Sequence, residues 1–335
     1  MGSNLKIGVV GSPDFYGGAG AELKDQLTLW KEMGYEIHIV PTGNFNGSLL
    51  NKVRVQAQIH LTEDYQALKG MPVISFCNDI FLRDIKKIKK YAKKTIFVNC
   101  MTWLFEAEKQ AHQKGLIDLF LYQSDHQQAR VNDELKKINK DYNWKIFVSW
   151  FDTSDFPFYK NRPTDKFRFG RISREDADKY SANTLWIYET MVAPVDKSGI
   201  ILGFDHRSES KIGKPQEWIR TYPGCGITQQ EFYAHCACII QKCDTFENWP
   251  RVGMEAMASG SVLIVDNRGG WQKMVKHGET GWLCNDQRDF VYYASRMAYE
   301  PKEREKMAEK AYAHLMENII NKEQSKKDWK EIFAC

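Results

Sequence analysis

Residues 244–270 read DTFENWPRVGMEAMASGSVLIVDNRGG. Two glutamates, Glu247 and Glu255, stand eight residues apart in this stretch. Glu255 opens a run that reads as a helix, EAMASG, and Gly260 is placed to end it. The apolar run SVLIVDN then has the pattern of a buried strand and leads to the pair Gly269-Gly270. A loop carboxylate, a helix with a second carboxylate, and a buried strand make one repeat of an α/β fold. The layout lets both carboxylates face one cleft above a sheet, where they suit hydrogen bonding to sugar or ribose hydroxyls. The plainer reading makes them solvated charges at a helix terminus, favoured by its dipole.

The same alternation extends in both directions. Strand patterns occur at 6–11, 35–40, 53–61, 72–77, 95–100, 116–122 and 144–150, separated by a helix over 19–33 and by basic or polar helical stretches. After a polar, proline-containing segment at 151–166 the pattern restarts with strands at 167–172, 198–204 and 238–241. Helices are expected at 183–192, 286–298, 302–320 and 322–333, and Thr228 with Glu231 forms a capping box. The expected fold is α/β, with parallel sheets covered on both faces. The expected domains are 1–155 and 156–318, with a further helical segment at 319–335.

Composition narrows the function. At 335 residues and 43% hydrophobic content the chain is long enough for two cores. No apolar run reaches transmembrane length, and the N-terminus lacks a signal-peptide pattern, so a cytoplasmic location is expected. Several of the eight cysteines lie in apolar runs, as reduced core thiols do. Cys236, Cys238 and Cys243 with His235 lack the usual zinc-hook spacing, and core thiols fit them better. A net charge of +4 is no general nucleic-acid signature, but residues 83–94, RDIKKIKKYAKK, carry seven basic side chains. The favoured reading is a solvated face over an apolar stripe of Ile85 and Ile88; contact with an anionic membrane or with nucleic acid is the alternative.

The stretch from Glu247 to Leu283 resembles the donor half of retaining GT-B glycosyltransferases, the glycogen-synthase-like and sucrose-synthase-like set (family-4-like, glycosyl transferases group 1). The resemblance rests on Glu247, Glu255, Ala256, Ala258, Gly260 and Gly269-Gly270, and on His277-Gly278-Glu279-Thr280-Gly281-Trp282-Leu283, which matches a hairpin of that family. It implies two Rossmann-like domains with parallel sheets facing across a cleft, and a last helix, within 319–335, packing back on the first domain. It also implies that Glu247 touches the transferred sugar, that Glu255 holds the nucleotide ribose, and that Val252 and the Gly269-Gly270 turn lie against the donor. Arg171, in Phe169-Gly170-Arg171, matches a family arginine that grips the donor phosphates. The family's accompanying lysine is absent, since Asp176 stands there, and Arg174 or Lys179 is expected to serve instead. In the first half, Gly17 and Gly18 match a glycine-rich phosphate loop, with Glu22 in register. The family's histidine after the fifth strand is missing; Asn78, Asp79, Asn99 and Thr102 are the acceptor-side candidates by position alone.

The expected activity is retaining transfer of a sugar from a UDP- or GDP-sugar to a saccharide or lipid-linked glycan, without metal or other cofactor. Glu247 and Arg171 are the expected catalytic residues. The chain is expected to be a monomer or a homodimer. A modified DNA base as acceptor is an alternative; another is a non-catalytic nucleotide-sugar-binding protein. A dehydrogenase reading would place Glu36 at the ribose, but the glycine spacing of the first loop is wrong for it.

Overall fold

The computed structural model describes residues 5–13, 18–43 and 59–334. The chain divides into two compact units, Met1–Phe151 with Ile320–Cys335, and Asp152–Ile319.

The first unit is built on seven strands: β1 (Lys6–Val10), β2 (Glu36–Val40), β3 (Ile59–Leu61), β4 (Pro72–Phe76), β5 (Lys94–Asn99), β6 (Leu119–Tyr122) and β7 (Trp144–Ile146). They lie in the order β3-β2-β1-β4-β5-β6-β7, and each described pairing is parallel. The connecting helices are α1 (Gly18–Glu32), α2 (Asp79–Ile88), α3 (Glu106–Gln113) and α4 (Asp125–Ile138). Parallel strands are covered on both faces, which is why β4 is buried along its whole length and apolar but for Ser75, whose hydroxyl donates to the Val10 carbonyl. Of the strand expected at 53–61, only Ile59–Leu61 falls within the described residues.

The second unit has six parallel strands: β8 (Lys166–Ile172), β9 (Asp196–Leu202), β10 (Ile219–Tyr222), β11 (Cys238–Gln241), β12 (Val262–Asp266) and β13 (Gly281–Cys284). Their order is β10-β9-β8-β11-β12-β13. Around them are α5 (Thr184–Thr190), α6 (His206–Ile212), α7 (Gln229–His235), α8 (Arg251–Ala258), α9 (Trp271–Met274), α10 (Gln287–Tyr299) and α11 (Pro301–His314). The core is formed by Phe167, Phe169, Tyr188, Ile201, Ile240, Ile264 and their neighbours.

Several expectations need correction. Residues 281–284 form a parallel edge strand, where a hairpin was expected. The hairpin-like signal is a tight turn closed by Gly278 N–H to Gly281 O (2.8 Å) and Lys276 N–H to Thr280 Oγ1 (2.9 Å), after which Gly281 enters the sheet. The helix of the opening stretch begins at Arg251, behind Pro250 as its N-cap, so Glu255 lies inside it. The basic helix ends at Ile88; Lys89 and Lys90 lie in the turn after it, and Lys94 opens β5. The long helix expected at 302–320 stops at His314 and continues as a wider π turn over Leu315–Ile319. Cys236, Cys238 and Cys243 are buried, and burial pushes the thiols of Cys238 and Cys243 up to about 11 and about 12. No helix among the described residues is long and apolar enough to cross a membrane.

The last helix, α12 (Lys322–Ala334), completes the first unit. Trp329 is fully buried there, edge-on to Trp30 at 4.9 Å and against Phe147 at 4.4 Å. Its indole N–H donates to Gln26 Oε1 (3.0 Å), while Gln26 Nε2 donates to the Trp150 carbonyl (2.6 Å). Trp329→Ala removes this aromatic volume and leaves a buried amide oxygen short of its donor. Urea unfolding of the first unit should show a loss of about 3–5 kcal/mol.

Candidate functional site

The second sheet has a topological switch point. Strands β8, β9 and β10 succeed one another in one direction, and β11, β12 and β13 in the other. The connections after β8 and β11 therefore leave on opposite sides, which opens a crevice beyond their carboxyl ends where ligands bind in such sheets. Arg171 is the penultimate residue of β8, and Glu247 lies in the loop that follows β11.

Arg171 is wholly buried. Its guanidinium lies 3.6 Å from the centroid of the Tyr180 ring, a cation–π stack, and Nη2 donates to the Lys179 carbonyl (2.6 Å). Its Nε and Nη1 are buried without a hydrogen-bond partner. The next side chain, Lys179, donates from Nζ to Glu247 Oε1 at 2.9 Å. Both members of this pair are mostly buried, at 22% and 15% side-chain exposure, so Glu247 is not a solvated surface charge. Arg171, Lys179 and Glu247 thus form one connected group with two cations and one carboxylate. Arg174, the other expected cation, is 58% exposed and lies 3.9 Å from Asp176, outside this group.

The loops carrying these residues are tied together. Lys211 Nζ donates to Ala177 O (3.0 Å) and pairs with Asp244 (3.1 Å), and Thr245 Oγ1 donates to Asp178 O (3.1 Å). Arg268 Nη2 donates to the carbonyls of Cys243 and Thr245. Gly270 N–H donates to the Glu247 carbonyl (2.9 Å). A Cβ on Gly269 or Gly270 would collide with the carbonyl of Glu247 or Asn248, respectively. The close protein neighbour of this glycine pair is the Glu247–Asn248 main chain. Glycine serves here because main chain meets main chain, and at Gly269 also because φ is +62°.

Glu255 is buried on α8 and is not a solvated helix end either. Its Oε2 accepts from the Tyr233 hydroxyl (3.0 Å) and Gln229 Nε2 (3.4 Å), and Arg251 lies one turn back at 3.8 Å. The Val252 carbonyl accepts from the same Tyr233 hydroxyl at 3.4 Å. Tyr180, Lys211, Tyr233 and Arg268 were not among the sequence candidates. Only Arg268, directly before the glycine pair, carried a positional signal.

In the first unit Gly17 lies outside the described residues, and Gly18 is exposed at the start of α1. Glu22 is buried, accepting from Gln123 Nε2 (2.6 Å) and from the Ser149 hydroxyl. Asn78 is the N-cap of α2, accepting from Phe81 N–H (2.9 Å) and donating to Thr42 Oγ1 (2.6 Å). Asp79 is exposed and paired with Arg83 on the same helix. Asn99, expected by position on the acceptor side, is fully buried and braces the loop after β5. Its Nδ2 donates to Glu108 Oε2 (3.0 Å) and Trp103 O (3.1 Å), and its Oδ1 accepts from Met101 N–H (2.7 Å). That loop presents Thr102, partly buried, and Trp103, 49% exposed against Phe105. Four cations of the 83–94 run are engaged: Arg83 with Asp79, Lys87 with Asp84, Lys89 with Asp118, and Lys94 with the Ile332 carbonyl.

Comparison with known proteins agrees with this architecture. The chain aligns with the crystal structure of Anabaena Alr3699/HepE in complex with UDP and glucose at a TM-score of 0.75 and 14% identity, covering 98% of this chain and 99% of that one. It aligns with a sucrose-phosphate synthase from Thermosynechococcus elongatus at 0.73 and 12%, covering 98% of each chain. A glycosyltransferase from Rickettsia africae aligns at 0.71 and 14%, with 98% and 97% covered. No curated protein sequence matches. The fold is thus GT-B-like. Residues 228–314, which include α7, Glu247, Glu255 and the glycine pair, match the family profile described as glycosyl transferases group 1. The likeness to that family is confined to these residues, about a quarter of the chain.

Glu108, which braces Asn99, makes a testable pH dependence. Burial raises its carboxyl from the ordinary 4.5 to about 8, against hydrogen bonds from Asn99 and the Phe105 amide that lower it. Between these values the folded state holds a proton that the unfolded state has lost, so stability falls as pH rises and levels off above the upper value. Unfolding measured across this range should show the fall in wild type. The stability difference, Glu108→Gln minus wild type, should climb by roughly 2–4 kcal/mol from pH 5 to 8.5.

Proposed function

We propose that the chain is a retaining glycosyltransferase that takes its sugar from a nucleotide diphosphate donor, with the donor held by the second unit. The observation that carries this reading is the Arg171 group. A buried guanidinium with two unpartnered donors stands beside a Lys179–Glu247 pair at the switch point of a GT-B sheet. Two cations against one carboxylate leave a positive site, and a diphosphate is the anion such a site complements. Glu247 then faces the transferred sugar, and Glu255 on α8 takes the ribose hydroxyls. Gly269 and Gly270 act one step back, by fixing the Glu247 main chain. Uridine is the favoured base, because the related GT-B protein HepE was crystallised with UDP and glucose and with UDP-glucose.

In this reading the bond between the sugar C1 and the diphosphate oxygen breaks as an acceptor hydroxyl oxygen bonds C1 on the same face. The hydroxyl proton passes to the departing diphosphate, giving glycosylated acceptor and nucleoside diphosphate. Lys179 and Arg171 stabilise the charge that builds on the leaving group. The acceptor is the hydroxyl of a saccharide or lipid-linked glycan, met by the first unit. Support comes from Trp103, exposed at the carboxyl end of β5, a surface suited to the apolar face of a sugar ring. Glu106 beside it and the carboxylates paired within the basic run disfavour a polyanion there.

Thermal shift with UDP, GDP and their sugars tests the donor. UDP species at about 100 times their dissociation constant should stabilise the chain by ~2.7 kcal/mol. Glu247→Ala, Glu255→Ala and Lys179→Ala should each lower transfer by roughly 100-fold or more. Arg171→Met should keep the ligand-free melting temperature, because replacing an incompletely paired buried charge by an apolar side chain is often neutral or better. It should nonetheless lose the UDP-induced shift. A normal UDP shift in Arg171→Met, or wild-type turnover in the glutamate variants, overturns the assignment.

A further inference from the structure

Glu36 takes no part in the proposed donor chemistry. It is the first residue of β2, at the amino end of the sheet, whereas ligands of such sheets bind at the carboxyl ends. This position also removes the dehydrogenase reading that placed Glu36 at a ribose. Its surroundings point elsewhere. In the parallel register Lys6 is opposite Glu36, and His38 is opposite His60 on the edge strand β3. Glu36 and His38, two residues apart, project from the same face, while Ile37 and Ile39 project into the core.

The three side chains converge. Glu36 Oε1 lies 2.8 Å from His38 Nε2 and 3.6 Å from His60 Nε2, and one ligand atom from each residue lies within 4.8 Å of the others. The two imidazoles are stacked, with centroids 4.7 Å apart and planes 22° from parallel, so both present Nε2 to the same carboxylate. Tetrahedral zinc with ligands at about 2.0–2.1 Å separates them by roughly 3.3 Å, so binding draws these atoms together and turns the stacked rings until both nitrogens aim at the ion. Two imidazoles and one carboxylate form a zinc-type donor set, whereas magnesium and calcium take oxygen. Among the described residues this is the one such group of three ligands. Among the described residues Lys6 is the cation that competes for this carboxylate, with Nζ 3.0 Å from Glu36 and its side chain half exposed.

We infer that Glu36, His38 and His60 bind one divalent transition-metal ion of the zinc type, with water completing the shell. The ion pins the edge strand β3 to β2. It sits apart from the donor chemistry, so the inference stands or falls independently of the proposed function.

The test is calorimetric titration of ZnCl₂ into tag-free, chelator-stripped protein, with Co²⁺ absorption as a geometric probe. One ion per chain should bind, and Co²⁺ should give the intense visible bands of a tetrahedral site. His38→Ala and His60→Ala should each weaken binding by at least about tenfold. His60 is exposed on a short edge strand, so its variant should stay folded and lose the zinc-induced rise in melting temperature. Lys6→Ala should bind at least as tightly as wild type. No zinc uptake, or uptake unchanged in both histidine variants as binding to thiols would give, overturns the inference.

Discussion

A charged group taken out of water must find compensation, and in the second unit the group under that constraint is the Arg171 guanidinium. One face lies on the Tyr180 ring and one donor reaches the Lys179 carbonyl, so the β8–α5 connection folds back over the end of its own strand. That fold-back carries the Lys179 ammonium to Glu247 and so couples the loop after β8 to the loop after β11. Stacking contributes about 2 kcal/mol at a desolvated site, less than the several kcal/mol that dehydrating an ion costs. The remainder of the compensation is what a bound anion would supply. A site with residual unpaired donors has its affinity built in before the ligand arrives, since no protein partner must first be displaced from them.

Main-chain contact does the rest. The loop after β12 reaches the Glu247–Asn248 backbone so closely that no side chain fits between them. Gly203 likewise lies against the Ser173 carbonyl, and its own carbonyl accepts from the Tyr180 hydroxyl. Loops joined in this way have few alternative arrangements, which suits a site whose groups must be held in register.

The strands were legible because parallel sheets impose long apolar runs; β11 was read with its observed limits and β8 to within one residue. The edge strand β10 was missed because only Ile219 of its four residues is buried, so neither apolar continuity nor alternation marks it. The turn before β13 imitates a hairpin because Gly278 and Gly281 satisfy a tight turn whichever way the chain continues. The Glu247–Glu255 motif and Arg171 were visible by resemblance, but not the burial of Arg171 or the partnership of Lys179 with Glu247. Those depend on loops that meet only after the sheet has formed, and no local spacing encodes them. Asn99 shows the opposite limit: position at a strand end made it an acceptor-side candidate, while Glu108, nine residues on, and Gln127, further along the chain, hold it buried.

The first unit is made of two stretches of chain separated by the whole of the second. During synthesis β1 to β7 leave the ribosome without the helix whose Trp329 and Phe333 cover Trp30 and Phe147. At typical elongation rates that aromatic face waits on the order of ten to thirty seconds, time enough for the intervening unit to fold on its own. The second unit, though later in sequence, is therefore the first that can reach a finished core. The first matures only when the chain returns to it, which makes its open aromatic face the natural point of capture for a chaperone.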